Sequence, residues 1–176
     1  MKVVRIFELS KEKLYSVEFD TDERHAVQIL QDEWEDQIYL YEFFKQWKED
    51  YRKFYGSKKT ADIVEDAIND ADELFESLLD ERQDLNKLFK PLDNREAKNT
   101  PYDLQELKAK TFSLSFLRIY GIRYGNTIIV TGGAIKLTGK MGQREHTKIE
   151  LKKLEIVKAY LKDDANEAEF VYLEFK

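Results

Sequence analysis

The sequence predicts an α+β fold: a twisted antiparallel sheet with a helical pair packed on one face, plus an N-terminal β-hairpin extension. Three observations carry this. Two stretches near the start alternate apolar and polar residues at period two, the middle of the chain repeats apolar residues at helical spacing, and Ser115–Lys136 reads as two further strands joined by a tight turn. The expected organisation is a hairpin and helix over 1–35, an α+β domain over 36–162 and a C-terminal strand within 163–176.

The elements follow in order. Val3–Leu9 and Leu14–Phe19 alternate around Ser10–Lys13, which predicts the hairpin. Thr21–His25 offers a capped helix start leading to Ile29 and Leu30. From Ile38 to Tyr55, Leu40, Tyr41, Phe44, Trp47, Tyr51, Phe54 and Tyr55 recur at helical spacing, and Gly56 ends that helix. Thr60 reads as the N-cap of a second helix, with Asp62 in its first turn. Its apolar face runs through Val64, Ala67, Ile68, Ala71, Leu74, Phe75, Leu78 and Leu79 toward Phe89, and Pro91 is the stop. Leu92–Pro101 is a polar loop. Tyr102–Ala109, Leu114–Tyr124 and Thr127–Ile135 read as strands, the last two joined by Gly125-Asn126, a pair suited to a primed turn. Gly132-Gly133 interrupts the final one. Gln143–Lys162 is a charged helix with Leu154, Val157 and Leu161 on one stripe, and Phe170–Phe175 reads as a closing strand.

Composition narrows the chemistry. The chain has 176 residues, no cysteine and two histidines, His25 and His146. Thiolate metal sites, disulfides and cysteine nucleophiles are excluded, and a histidine-rich metal site is disfavoured. The absence of thiols fits a cytoplasmic protein. There is no apolar signal-type run at the start, and no apolar stretch is long enough for a membrane helix. The net charge of −6 hides an asymmetry. Leu117–Lys162 carries ten Lys/Arg against three Glu, a net of +7, whereas residues 1–116 carry a net of −9. A local basic excess of this kind is either a solvated helix face or an anion-binding surface.

Strand parity separates those readings. On Ser115–Arg123, Leu117 and Ile119 point one way, and Arg118 and Tyr120 point the other, with Phe116 and Ile122. If helices cover the Leu117/Ile119 side, Arg118 and Tyr120 lie on an uncovered face. Arg123 sits at the turn, where it can reach solvent. Lys136 follows the Gly-Gly break, with Lys140, Arg144 and His146 close behind. Glu106 on the preceding strand is a candidate pairing partner. Arginine forks bind phosphate bidentately and tyrosine stacks on bases, which makes RNA the anion to test.

The run Tyr102-Asp-Leu-Gln-Glu-Leu-Lys, then Leu117-Arg-Ile-Tyr, then Ile128-Ile-Val-Thr-Gly-Gly-Ala-Ile-Lys-Leu-Thr-Gly-Lys resembles the RelE/HigB superfamily of toxins from toxin–antitoxin systems. The resemblance covers roughly residues 38–162, with the motif match confined to 102–140. It implies a metal-independent endoribonuclease without cofactor that cleaves mRNA, with or without the ribosome, and is neutralised by a cognate antitoxin protein. It implies a catalytic set in which Arg118 stabilises the pentacoordinate phosphate, Tyr120 orients or stacks on a base, and Lys136 stands for the family's first lysine. Lys140 is the candidate second lysine, since Leu137 and Thr138 occupy the positions directly after Lys136. Arg123 and Arg144 are expected on backbone phosphate. His146 is the candidate general acid/base, against the plainer reading of an exposed histidine, and Tyr172 is the candidate for the family's C-terminal catalytic residue. The alternative is a non-catalytic protein-binding member of the same fold, such as a gyrase-inhibitor-like or phage-derived regulatory protein, docking through aromatic residues around 40–55.

Overall fold

In the computed structural model, the described residues are 1–93, 104–111 and 115–163, with 54–55 and 170–172 described for the backbone alone. Seven strands form one sheet: β1 (Val3–Ser10), β2 (Leu14–Phe19), β3 (Phe89–Pro91), β4 (Gln105–Ala109), β5 (Leu117–Tyr124), β6 (Thr127–Ile135) and β7 (Phe170–Tyr172). Their order is β3-β4-β5-β6-β2-β1-β7. The helices are α1 (Ala26–Glu35), α2 (Gln37–Gln46), α3 (Lys48–Tyr55), α4 (Thr60–Leu79), α5 (Leu85–Leu88) and α6 (Glu145–Asp163). The α+β class expected from the pattern is the one observed. The N-terminal hairpin joins the sheet through a parallel pairing of β2 with β6, and β7 adds parallel to β1. The other pairings are antiparallel.

The β5–β6 hairpin matches its sequence closely. Tyr124 pairs with Thr127 across the two-residue loop Gly125-Asn126. Gly125 alone of the pair takes a positive φ, of 58°, the backbone state that a glycine supplies at the first position of a type II′ turn. Tyr120 pairs with Gly132 while Gly121 pairs with Val130, so Thr131 is the extra residue of a β-bulge.

Three helical boundaries differ from the reading. The aromatic helix of 38–55 breaks at Trp47, whose backbone (φ −102°, ψ 26°) ends α2 and starts α3. Lys59, not Thr60, is the N-cap of α4, and Thr60 is its first residue. That helix also stops at Leu79, with Asp80 as its C-cap, instead of running to Phe89. Pro91 therefore lies in an edge strand, a place where a missing N–H is tolerated. Leu114, Tyr102 and the rest of the 94–103 segment lie outside the described residues.

Both faces of the sheet are covered. On one, α1, α2 and α4 pack over Leu117, Ile119, Ile128 and Val130, burying Leu40, Phe44, Leu74 and Phe75. Phe116 belongs to this side, against the expectation that it would share the Arg118 face, with its ring centroid 5.4 Å from that of Phe44. On the other, α6 brings Leu154, Val157 and Leu161 onto Tyr120, Ile122 and Ile129. The face expected to be open is a second, smaller core. The reason is the charged helix itself: its apolar stripe needs a partner surface, and the back of β5 and β6 provides it.

Candidate functional site

The expected catalytic set divides. Tyr120 is only 1% exposed, in the core beneath α6, and its buried Oη has no hydrogen-bond partner among the described residues. Burial pushes its hydroxyl well above the usual phenol range. It cannot stack on an incoming base without displacing α6. Arg118 and Lys136 do come together. Arg118 pairs in register with Ala134, and Lys136, two residues on, shares that face of β6. Arg118 Nη1 donates to the Ser115 and Leu117 carbonyls, each at 2.7 Å, and Lys136 Nζ donates to the Gly139 carbonyl at 3.1 Å.

Two further lysines complete the group. Lys108 lies opposite Tyr120 on β4, so it shares the α6 face with Arg118, and Lys110 continues that parity one step beyond the strand. Lys108 Nζ donates to the Leu92 carbonyl at 2.9 Å. Burial lowers the pKa of Lys136 first, and the positive charges of Arg118, Lys108 and Lys110 lower it further. Lys108 is lowered by burial, then by Arg118 and Lys110, with Asp93 acting the other way. The four cations lie at the ends of three adjacent strands, and the charge on Lys108 and Lys136 is disfavoured by their cationic neighbours in addition to burial. Lys108 and Lys110 were legible as members of a Lys-x-Lys on a strand, the spacing that puts two cations on one face.

The expected RNA-binding residues do not join them. Arg123 is 7% exposed and donates through Nη1 to Asn86 Oδ1, turned into the protein instead of toward solvent. Arg144 makes a bidentate pair with Asp50 (Nε–Oδ2 2.6 Å, Nη2–Oδ1 2.5 Å) and lies 5.5 Å from the Trp47 ring centroid. It clamps α3 to the start of α6. The hydrogen bond from Arg144 holds the Asp50 carboxyl below its ordinary range. His146 donates from Nε2 to the Ile135 carbonyl at 3.0 Å and is wedged between the Phe43 and Trp47 rings, at 5.2 and 5.1 Å. Burial lowers its pKa, and the ring packs between two aromatic side chains instead of standing exposed as the plainer sequence reading had it. Lys140 is exposed in the turn before α6. Glu106 pairs with Lys158 at 2.9 Å and not with the cationic group. The Tyr172 side chain lies outside the described residues.

A second cluster escaped the sequence reading. Beyond Val130, β6 has no pairing with β2, and α1 packs against it instead. There a cleft of about 170 Å³ opens between α1, α2 and α6, lined among others by Glu33, Tyr39, Phe43, Gly132, Glu150 and Lys153. Glu150 is 3% exposed; Lys153 Nζ donates to its Oε1 at 2.7 Å, while Oε2 has no hydrogen-bond partner among the described residues. Burial pushes the Glu150 carboxyl up to about 7 against the pull of Lys153. Burial also raises Glu33, which the Tyr39 hydroxyl partly offsets by hydrogen bonding. Gly132 is what lets Glu150 in: a Cβ there would overlap Oε2. The signal was present in the sequence, since Thr147, Glu150, Leu154, Val157 and Leu161 form one buried stripe and Glu150 is its acidic member.

Among the described residues, no group of His, Cys, Asp and Glu is arranged to hold a metal ion, and no helix is long and apolar enough to cross a membrane. Comparison with protein-family models, with curated proteins and with solved structures returns no match.

Proposed function

We propose that this protein binds RNA through the Lys108, Lys110, Arg118 and Lys136 group and acts as the toxin of a toxin–antitoxin pair, cleaving mRNA in the manner of the RelE/HigB enzymes it resembles. The observation that carries the RNA half is the placing of Lys108, Lys110, Arg118 and Lys136 at the ends of three adjacent strands, where burial first, and then Arg118 and Lys110, disfavour the charge on Lys108 and Lys136. A group held together against its own repulsion is stabilised by an anion, and a phosphodiester backbone supplies regularly spaced ones. In the cleavage step, Arg118 and Lys136 would stabilise charge at phosphorus while the RNA's own 2′-hydroxyl attacks. Tyr120 has no part in this scheme, because its hydroxyl is sealed beneath α6.

The test is expression of wild type and of the Arg118→Ala/Lys136→Ala double variant, reading growth, mRNA integrity and, on purified protein, affinity for a single-stranded RNA as salt is varied. The wild type should arrest growth and fragment mRNA, and the variant should do neither. The slope of log affinity against log salt should fall by about 0.7 for each phosphate no longer neutralised. Equal and harmless behaviour of the two proteins sinks the toxin reading, and an unchanged slope sinks the RNA contact.

A second reading, a non-catalytic protein-binding member of the fold, is favoured by one surface. Ile38 is 76% exposed beside a half-exposed Tyr41. Both line a groove of about 580 Å³ between α2 and α4. Apolar side chains of this size in the open fit a protein partner, an antitoxin among them. Ile38→Asp combined with the growth assay separates the readings: on the first it should leave mRNA fragmentation intact, and on the second it should abolish whatever effect the protein has on cells, with mRNA intact in both proteins.

A further inference from the structure

The cleft beside Gly132 is unassigned by the function just proposed, yet it adjoins the cationic group. Ala134 both lines the cleft and is the cross-strand partner of Arg118. Its walls include the apolar and aromatic side chains of Ile29, Tyr39, Phe43 and Ile149, with His146 and Lys153 as polar members. Its lining includes, beside Gly132, an oxygen with no donor: Glu150 Oε2, buried and without a partner among the described residues. A buried polar atom left unsatisfied is destabilising, so the site is complete only with a donor group in it. At about 170 Å³ it is far below the ~300 Å³ at which pockets begin to hold drug-sized ligands, and suits one flat ring system.

The charges select the kind of donor. Lys153 already neutralises Glu150 through Oε1, so a second ammonium would meet a positive neighbour. A neutral N–H donor meets none. Glu33 also lines the cleft, giving a second carboxyl. Guanine is the nucleobase whose Watson–Crick edge offers adjacent N–H and NH₂ donors, whereas adenine and cytosine each present an amino group beside a ring-nitrogen acceptor. An unstacked base read by its edge between apolar and aromatic walls is a recurrent mode of single-strand recognition.

We propose that this cleft takes an unstacked guanine of the bound RNA, with Glu150 accepting from its Watson–Crick edge while the attached phosphates lie toward Arg118 and Lys136. The assignment rests on the RNA-binding reading. It makes the protein guanine-selective, with the specificity element on α6 and the affinity element on β4–β6.

Trp34 lines the cleft, so its fluorescence is the readout. Titration with 5′-GMP and 5′-AMP at pH 8, where the Glu150 carboxyl is ionised, should show GMP binding about tenfold or more tightly, the scale of a hydrogen bond to a charged acceptor. Glu150→Gln turns an acceptor into a donor at Oε2 and should bring the two nucleotides within about twofold. Gly132→Ala, which pushes a methyl group into Oε2, should do the same. Equal binding of GMP and AMP by the wild type, or binding of neither, overturns the guanine site, whatever the variants do. Anisotropy with labelled oligo(A) keeps the two claims apart. Oligo(A) binding without a GMP preference leaves the RNA reading standing and removes the cleft's role. GMP preference without oligonucleotide binding does the reverse.

Discussion

The two faces of this sheet solve different problems with the same strand. On β5, Leu117 and Ile119 enter a core built of Leu40, Phe44, Leu74 and Phe75, where packed apolar side chains fill the space. One residue out of phase, Arg118, Tyr120 and Ile122 meet α6, and there the burial is mixed. Ile122, Leu154 and Val157 pack, but the Tyr120 hydroxyl and one oxygen of Glu150 are buried without partners among the described residues, and four cations crowd the strand ends. Unsatisfied polar atoms oppose folding unless something binds them, so a face that keeps them is serving another requirement. The helical face is filled by apolar packing, and the α6 face keeps buried polar atoms that cost stability in the free protein.

The largest expected effect tests the helical face. Phe44 is fully buried and its ring meets those of Phe43, Tyr51 and Phe116. Phe44→Ala should destabilise the protein by about 3–5 kcal/mol, the range for opening a cavity of this size, seen as a drop in the urea midpoint with unchanged slope. A loss under about 1 kcal/mol would mean the aromatic cluster is loosely packed and the contrast between the faces is false.

How much of this was legible depends on whether the cause was local. The span of β6 could be read residue for residue, because its alternation, its Gly-Asn entry and its neighbours all agree. The parity of Arg118 against Leu117 was likewise fixed by strand geometry. What could not be read was what each face would meet. The stripe Leu154, Val157, Leu161 demands burial but names no surface, and it chose the face that had been assigned to solvent. That single packing event buried Tyr120 and drew in Glu150, while the Asp50–Arg144 clamp removed Arg144 from the candidate site through residues 94 positions apart in sequence. The short helix α5 and the early end of α4 at Leu79 were masked by Leu85, Leu88 and Phe89, which prolong the apolar pattern past the true stop.

The next effect concerns the buried acid. The Glu150 carboxyl is raised from 4.5 to about 7 by burial, with Lys153 opposing and Glu33 reinforcing the rise. Between those values the folded state binds a proton that the unfolded chain has released, so stability falls as pH rises. The contribution is fully present below about 4.5 and is lost through about 7, a change of about 3 kcal/mol for a shift of this size. Urea midpoints at pH 5 and pH 8 should differ in that direction, and Glu150→Gln should flatten the difference. A wild-type midpoint that rises over this interval would place Glu150 in water and dissolve the distinction between its face and an ordinary charged surface.

The smallest effect is the sharpest discriminator for the α6 face. Tyr120→Phe removes only an oxygen with no hydrogen-bond partner among the described residues. Deleting an unsatisfied hydroxyl relieves its desolvation and leaves the ring packed against Ile122 and the α6 stripe, so stability should stay within about 1 kcal/mol of wild type or rise. RNA affinity and any growth arrest should be unchanged, because the proposed anion contact uses Arg118 and Lys136 and not this hydroxyl. A folded Tyr120→Phe protein that loses growth arrest would show that α6 lifts to expose the hydroxyl. The α6 face would then be a closed form of an active site, and the contrast between the two faces would become one of motion as well as packing.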